Sequence, residues 1–257
     1  MVPQPSMEAT GPTRGLGSGV VEVDPRRVAD ELEARLRALG TPERAEHEQG
    51  YLKSELEHLG ATVWQIRREV KAFAAQRPDL SHSKLVALVE ALWAKPVHER
   101  RMAAVLLLEA YPELVAPSDL ALLERLIRES KTWAYVDGLA GDVLGELLVR
   151  NPRIAAKLDR WAKDPHLWVR RSALLAQIKP LKAGAPFARF GRYADAMLDE
   201  KEFFIRKAIG WVLRETGKTR PDEVFEWLAP RADRASGVTK REAVKYLKPE
   251  QRSVLMP

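Results

Sequence analysis

Two short stretches of this 257-residue chain place chemically capable side chains at helical spacing. In FFIRKAIGWVLR, residues 203–214, a helix turning about 100° per residue gathers Ile205, Ala208, Ile209, Val212 and Leu213 on one side. That is an ordinary buried face. Phe203, Lys207, Trp211 and Arg214, at i, i+4, i+8 and i+11, fall within an arc of roughly 80° on the opposite side, which should meet water. Cations neutralise phosphates and rings stack on bases, sugars or cations, so the row has the chemistry of a nucleic-acid surface. An aromatic protein-binding face would share the pattern.

In TWAYVDGLAGDVLGELLVR, Val136, Leu139, Val143 and Leu147 form the apolar stripe, and Trp133, Asp137 and Gly141 form the edge beside it. Gly138, Gly141 and Gly145 lie further round, each costing a helix interior roughly 1 kcal/mol relative to Ala. Something is therefore expected to approach this backbone closely, the simplest candidate being a neighbouring helix. In DPHLWVRRSALLAQIKPLK, Arg171 falls inside the stripe of Leu174, Leu175 and Ile178, while Arg170 points away. A buried arginine needs a partner, either a carboxylate in an ion pair or a phosphate at the rim of a groove.

The elements that must carry these residues are helices. Beyond Asp24 the pattern predicts helices over approximately 25–39, 43–59, 62–77, 80–94, 97–111, 118–130, 132–150, 153–163, 166–178, 188–199, 202–216, 221–231 and 239–247. Thr41-Pro42-Glu43, Ser118-Asp119 and Arg220-Pro221-Asp222-Glu223 supply start signals. Short helices joined by tight turns, at about 35–40 residues per pair or triplet, predict an all-α fold, a curved α-solenoid of HEAT-like antiparallel helix repeats. Residues 1–24, rich in Pro, Gly, Ser and Thr, are expected to form a flexible tail, and 25–257 one domain.

Composition bounds the function. The 46% hydrophobic, 30% charged chain has the make-up of a folded soluble protein, and it holds no apolar run near the ~20 residues needed to span a bilayer. The absence of cysteine rules out disulfides, thiolate catalysis and cysteine metal sites, and fits a cytoplasmic location. His47, His58, His82, His98 and His166 show no metal-binding spacing, so no metal is expected, and no phosphate-cradling glycine loop is present. The net charge of +6 is uneven: residues from 160 onward hold 21 Lys and Arg against 12 Asp and Glu, the first 159 hold 21 against 24. The second half is thus the half expected to meet an anion.

In order and spacing, KTWAYVD, HLWVRRSALLAQIKPLK, KEFFIRKAIGWVLRETGKTRPDEVFEWL and TKREAVKYLK resemble the AlkD-type DNA alkylation repair glycosylases, more weakly so upstream through YLKSELEHLG and LWAKPVHERRMAAVLLLE. The resemblance covers about residues 25–250. It implies helical repeats curved around duplex DNA and hydrolysis of the N-glycosidic bond of cationic N3- and N7-alkylated purines, without a metal or organic cofactor and without flipping the base into a tight pocket. By the same resemblance Asp137 is the catalytic carboxylate, and Trp133 and Trp211 are the cleft tryptophans. Arg171 and Arg214 are its cleft arginines, and Phe203, Phe204 and Lys207 its DNA-facing block. Thr132 stands where the family often has another tryptophan, Ala134-Tyr135 where it has Asp-Thr, and Ser54-Glu55-Leu56 replaces a more aromatic or basic segment. The expected partner is duplex DNA containing alkylated purines, met by a monomer away from membranes. The competing expectations are a non-catalytic repeat protein that binds duplex or structured DNA, and a protein-interaction scaffold.

Overall fold

The computed structural model describes residues 24–256. The expected tail lies outside them except for Asp24, whose carboxylate accepts from the Arg26 amide at 3.0 Å and caps the first helix. The helices are α1 (Pro25–Leu39), α2 (Pro42–Leu52), α3 (Val63–Ala75), α4 (His82–Ala94), α5 (His98–Ala110), α6 (Leu120–Glu129), α7 (Trp133–Asp137), α8 (Gly145–Arg150) and α9 (Ala155–Trp161). They continue as α10 (Leu167–Leu175), α11 (Ile178–Lys182), α12 (Ala188–Ala196), α13 (Phe203–Gly217), α14 (Pro221–Leu228), α15 (Gly237–Ala243) and α16 (Pro249–Leu255). The fold is all-α. Among the described residues the only β-type pairing is an isolated bridge between Glu57 and Val97. In the same residues no helix is long and apolar enough to cross a membrane.

Local chemistry sets the helix ends. Thr41 caps α2 with Pro42 in its first turn, Thr62 and Gln65 close a reciprocal capping box at α3, and Pro221 opens α14. Packing joins both consecutive helices and helices two or three apart in the chain: α4 and α5, joined by three residues, pack together, as do α3 with α5, α10 with α13 and α13 with α15. The shared core runs through the stack, with Leu88, Leu107, Leu139, Leu174, Ile209 and Leu228 all fully buried.

Three boundaries differ from the expectation. The helix expected over 43–59 stops at Leu52, because Lys53 turns left-handed (φ 50°) and its amide closes on the carbonyls of Gln49 and Gly50. The chain then runs extended past Glu57, whose carbonyl accepts from the His98 amide at 2.8 Å. The stretch 166–178 is divided between α10 and α11, and α16 was not expected at all.

Helix α13 carries a glycine for a packing reason. A Cβ on Gly210 would lie 2.8 Å from Glu242 Cβ and 2.9 Å from the Thr239 carbonyl of α15, which crosses there. Gly210→Ala is therefore expected to destabilise the fold by about 1–3 kcal/mol despite alanine's better helix propensity. A urea unfolding midpoint at or above wild type would contradict this packing.

Candidate nucleic-acid interface and cleft

The run from Trp133 to Arg150 is one continuous helical segment that changes pitch. After α7 it widens into a π-type turn over Gly138–Leu144 before resuming as α8. Such turns shift side-chain register and recur at functional sites. The change begins one residue after Asp137. Gly138 permits it by close packing: a Cβ there would sit 2.8 Å from Val105 Cγ1 and 3.0 Å from Glu109 Oε1 of α5. The helix-packing explanation of the glycines thus holds at Gly138, whereas at Gly141 nothing lies within 4 Å.

Asp137 sits in the wall of a cavity of about 290 Å³ whose lining includes Trp133, Trp211, Tyr51, Glu48 and Asp142. The carboxylate faces α10. Arg171 Nε donates to Asp137 Oδ1 at 2.9 Å and Nη2 to Oδ2 at 3.0 Å, a side-on fork that occupies one lone pair of each oxygen. Arg171 is only 2% exposed, and Nη1 donates to the Phe204 main-chain carbonyl at the start of α13. Of the two partners open to this arginine, the structure supplies the carboxylate. Burial pushes the Asp137 carboxyl above the usual carboxylate range, against the pull of Arg171 first and Lys207 more weakly.

The row on α13 lies where its spacing puts it. Ile205, Ala208, Ile209, Val212 and Leu213 have no exposure, whereas Phe203 is 51% exposed and Lys207 is open to solvent with its Nζ 6.0 Å from the Phe203 ring. Trp211 is half-buried and reaches the cavity. The Arg214 guanidinium lies 5.9 Å from the Trp211 ring and is held by Glu242 at 2.5 Å and Glu215 at 3.4 Å. Phe204, which the resemblance puts in the DNA-facing block, stands apart from this row. It is half-buried, tilted against Trp168 at 5.1 Å and lying 5.7 Å from the Arg171 guanidinium. Its place is beneath the ion pair.

Some cavity residues have no helical-wheel signal. Tyr51, 68% exposed at the end of α2, meets Trp133 edge-on at 6.1 Å. His98 opens α5 and is buried; its Nδ1 lies 2.6 Å from the Tyr135 hydroxyl, and burial pulls its pKa down to about 3, so the ring is neutral. Along the groove beside the cavity, Arg67 pairs with Glu109 at 2.6 Å and Lys179 with Glu146 at 3.2 Å. The assembled site offers one fixed carboxylate, two half-buried indoles and a flanking cationic and aromatic row.

Solved structures of other proteins share the helical architecture. A protein from Enterococcus faecalis described as a predicted DNA alkylation repair enzyme superposes with a TM-score of 0.74 at 23% identity, covering 82% of this chain and 97% of that one. AlkD2 from Streptococcus mutans superposes with a TM-score of 0.62 at 15% identity, over 87% and 99% of the two chains. The smu.31 protein of Streptococcus mutans UA159 gives 0.53 at 18% identity, over 72% and 99%. These likenesses show the fold. No curated protein matches in sequence. The sequence profile of the DNA alkylation repair enzyme family matches residues 32–247, most of the chain. The chain belongs to that family, and it is a DNA alkylation repair protein.

Proposed function

We propose that the protein is a monofunctional DNA glycosylase that hydrolyses the N-glycosidic bond of cationic N3- and N7-alkylated purines in duplex DNA. The observation that carries this reading is the Asp137 carboxylate, fixed by a buried arginine in the wall of a cavity shared with Trp133 and Trp211. A cationic purine is already an activated leaving group, because the electron pair of the breaking C1′–N bond neutralises the base. No general acid is needed. Positive charge develops on the deoxyribose instead, as in glycoside hydrolysis, and a single carboxylate beside it supplies the main stabilisation. Water adds to C1′, and its proton passes to Asp137 or to solvent. Trp133 and Trp211 offer π faces to the same charge, about 0.5–2 kcal/mol each.

Arg171 acts in this reading by holding Asp137 ionised and oriented. Phe203, Lys207 and Arg214 line the approach of the DNA backbone, with Phe204 packed against Trp168 and the Arg171 guanidinium. A carboxylate in the cleft wall, beside an open row of cations and rings, suits a lesion that stays near the helix rather than one drawn into a deep pocket.

Lys207 tests the backbone contact, since it is exposed and its Nζ lies over the Phe203 ring on the open side of α13. Lys207→Ala is expected to weaken duplex binding and to lower the slope of log K against log salt by about 0.9, one phosphate contact. An unchanged slope in a fluorescence-anisotropy titration would remove Lys207 from the interface. Catalysis is separated from mere binding by incubating the protein with a duplex containing N7-methylguanine and measuring the free base. Binding without release would make the chain a damage-binding protein.

A further inference from the structure

At the α2 and α5 side of the cavity lies a group of side chains that the glycosylase chemistry does not use. Glu48 near the end of α2, His58 in the connection from α2 to α3, and His98 at the start of α5 bring one donor atom each to within 4.8 Å of one another. Both ring nitrogens of His58 and Oε2 of Glu48 are buried without a hydrogen-bond partner. Groups of this kind are normally satisfied. The three approach each other without bonding directly, so the space between them suits a small bridging species.

We propose that Glu48, His58 and His98 bind one divalent cation of the zinc type. Two imidazoles and one carboxylate are a donor set that zinc accepts in tetrahedral geometry, with ligand bonds of about 2.0–2.2 Å and a fourth position left open. The surroundings match what metal-bound histidines require. Tyr135 engages His98 Nδ1, fixing the ring through the nitrogen that a metal does not use and leaving Nε2 as the ligand. Glu48 keeps Oε2 free because only Oε1 meets Arg44, at 3.4 Å.

The rings of His58 and His98 are stacked, 4.4 Å apart and 9° from parallel, so their in-plane lone pairs do not converge as they stand. Binding requires His58 to turn out of the stack. Its position in a connection, rather than in a helix, permits this. The cation would tie α2 to α5 and, through Tyr135, to the helix that carries Asp137. The site does not depend on the glycosylase reading.

The test is zinc titration of the tag-free full-length protein after removal of metal with chelator, followed by calorimetry and by thermal unfolding. One equivalent is expected to bind and to raise the unfolding temperature. Tyr135→Phe should lower zinc affinity roughly 10–100-fold, the usual effect of removing a group that orients a ligand. Glu48→Gln and His58→Phe should abolish the one-equivalent binding, whereas His82→Gln, whose ring pairs with Asp119 elsewhere, should retain it. Should His58→Phe fail to fold, the zinc-edge anomalous signal of wild-type crystals decides by its position. No bound zinc, binding unaffected by Glu48→Gln, or an anomalous peak away from these three residues overturns the proposal and leaves a buried water as the bridging species.

Discussion

Asp137→Asn is expected to reduce release of 7-methylguanine from duplex DNA by at least about 10²–10³-fold, while duplex affinity changes little. The magnitude is that of removing one preorganised group from beside a developing charge, about 3–4 kcal/mol. Asparagine keeps the size of the side chain and one acceptor oxygen for Arg171, but its NH2 cannot accept the second bond of the fork. The urea midpoint is therefore measured beside release to separate loss of stability from loss of chemistry. The substitution loses the negative charge that faces the sugar cation and the only basic oxygen pair in the fork. Single-turnover release measured beside anisotropy binding separates the two effects. Near wild-type release by Asp137→Asn would remove the carboxylate from the mechanism.

Arg171→Ala is expected to act on the fold as well as on the reaction. The guanidinium is buried and joins α7 to α10 through Asp137 and α10 to α13 through the Phe204 carbonyl. Its removal leaves Asp137 desolvated without its counter-ion, a loss of about 3–5 kcal/mol. The urea unfolding midpoint should fall accordingly. Arg171→Lys should recover only part of the loss, since an ammonium makes a point contact where the guanidinium makes a fork. Unfolding of Arg171→Ala at the wild-type midpoint would mean that the pair contributes nothing to the helix stack.

The α13 row was legible because a 3.6-residue period needs only neighbours in sequence: Phe203, Lys207 and Trp211 lie on the open side as their spacing requires. Arg171 was legible for the same reason, a charge inside an apolar stripe, although its partner lies 34 residues away and is supplied by the fold alone. What escaped depends on tertiary contact. Phe204 and Phe203 are adjacent in sequence and alike in chemistry, but one packs under Arg171 and the other faces solvent. The early end of α2 rests on the left-handed turn at Lys53, which carries no glycine or proline to announce it. Glu48, Tyr51 and His98 reach the cleft only because α5 packs on α7 and Tyr51 of α2 meets Trp133, so no spacing within one helix could expose them. The π-type turn after Asp137 was visible only as an excess of glycines.

The proposed reaction is the departure, promoted by Asp137, of a base that is already cationic. It is tested most directly by single-turnover release from three duplexes, containing N7-methylguanine, N3-methyladenine or an uncharged lesion such as 1,N6-ethenoadenine. Release of both cationic bases, with the uncharged one retained, is the predicted result. Release of none, or release of the uncharged base at a comparable rate, would contradict it.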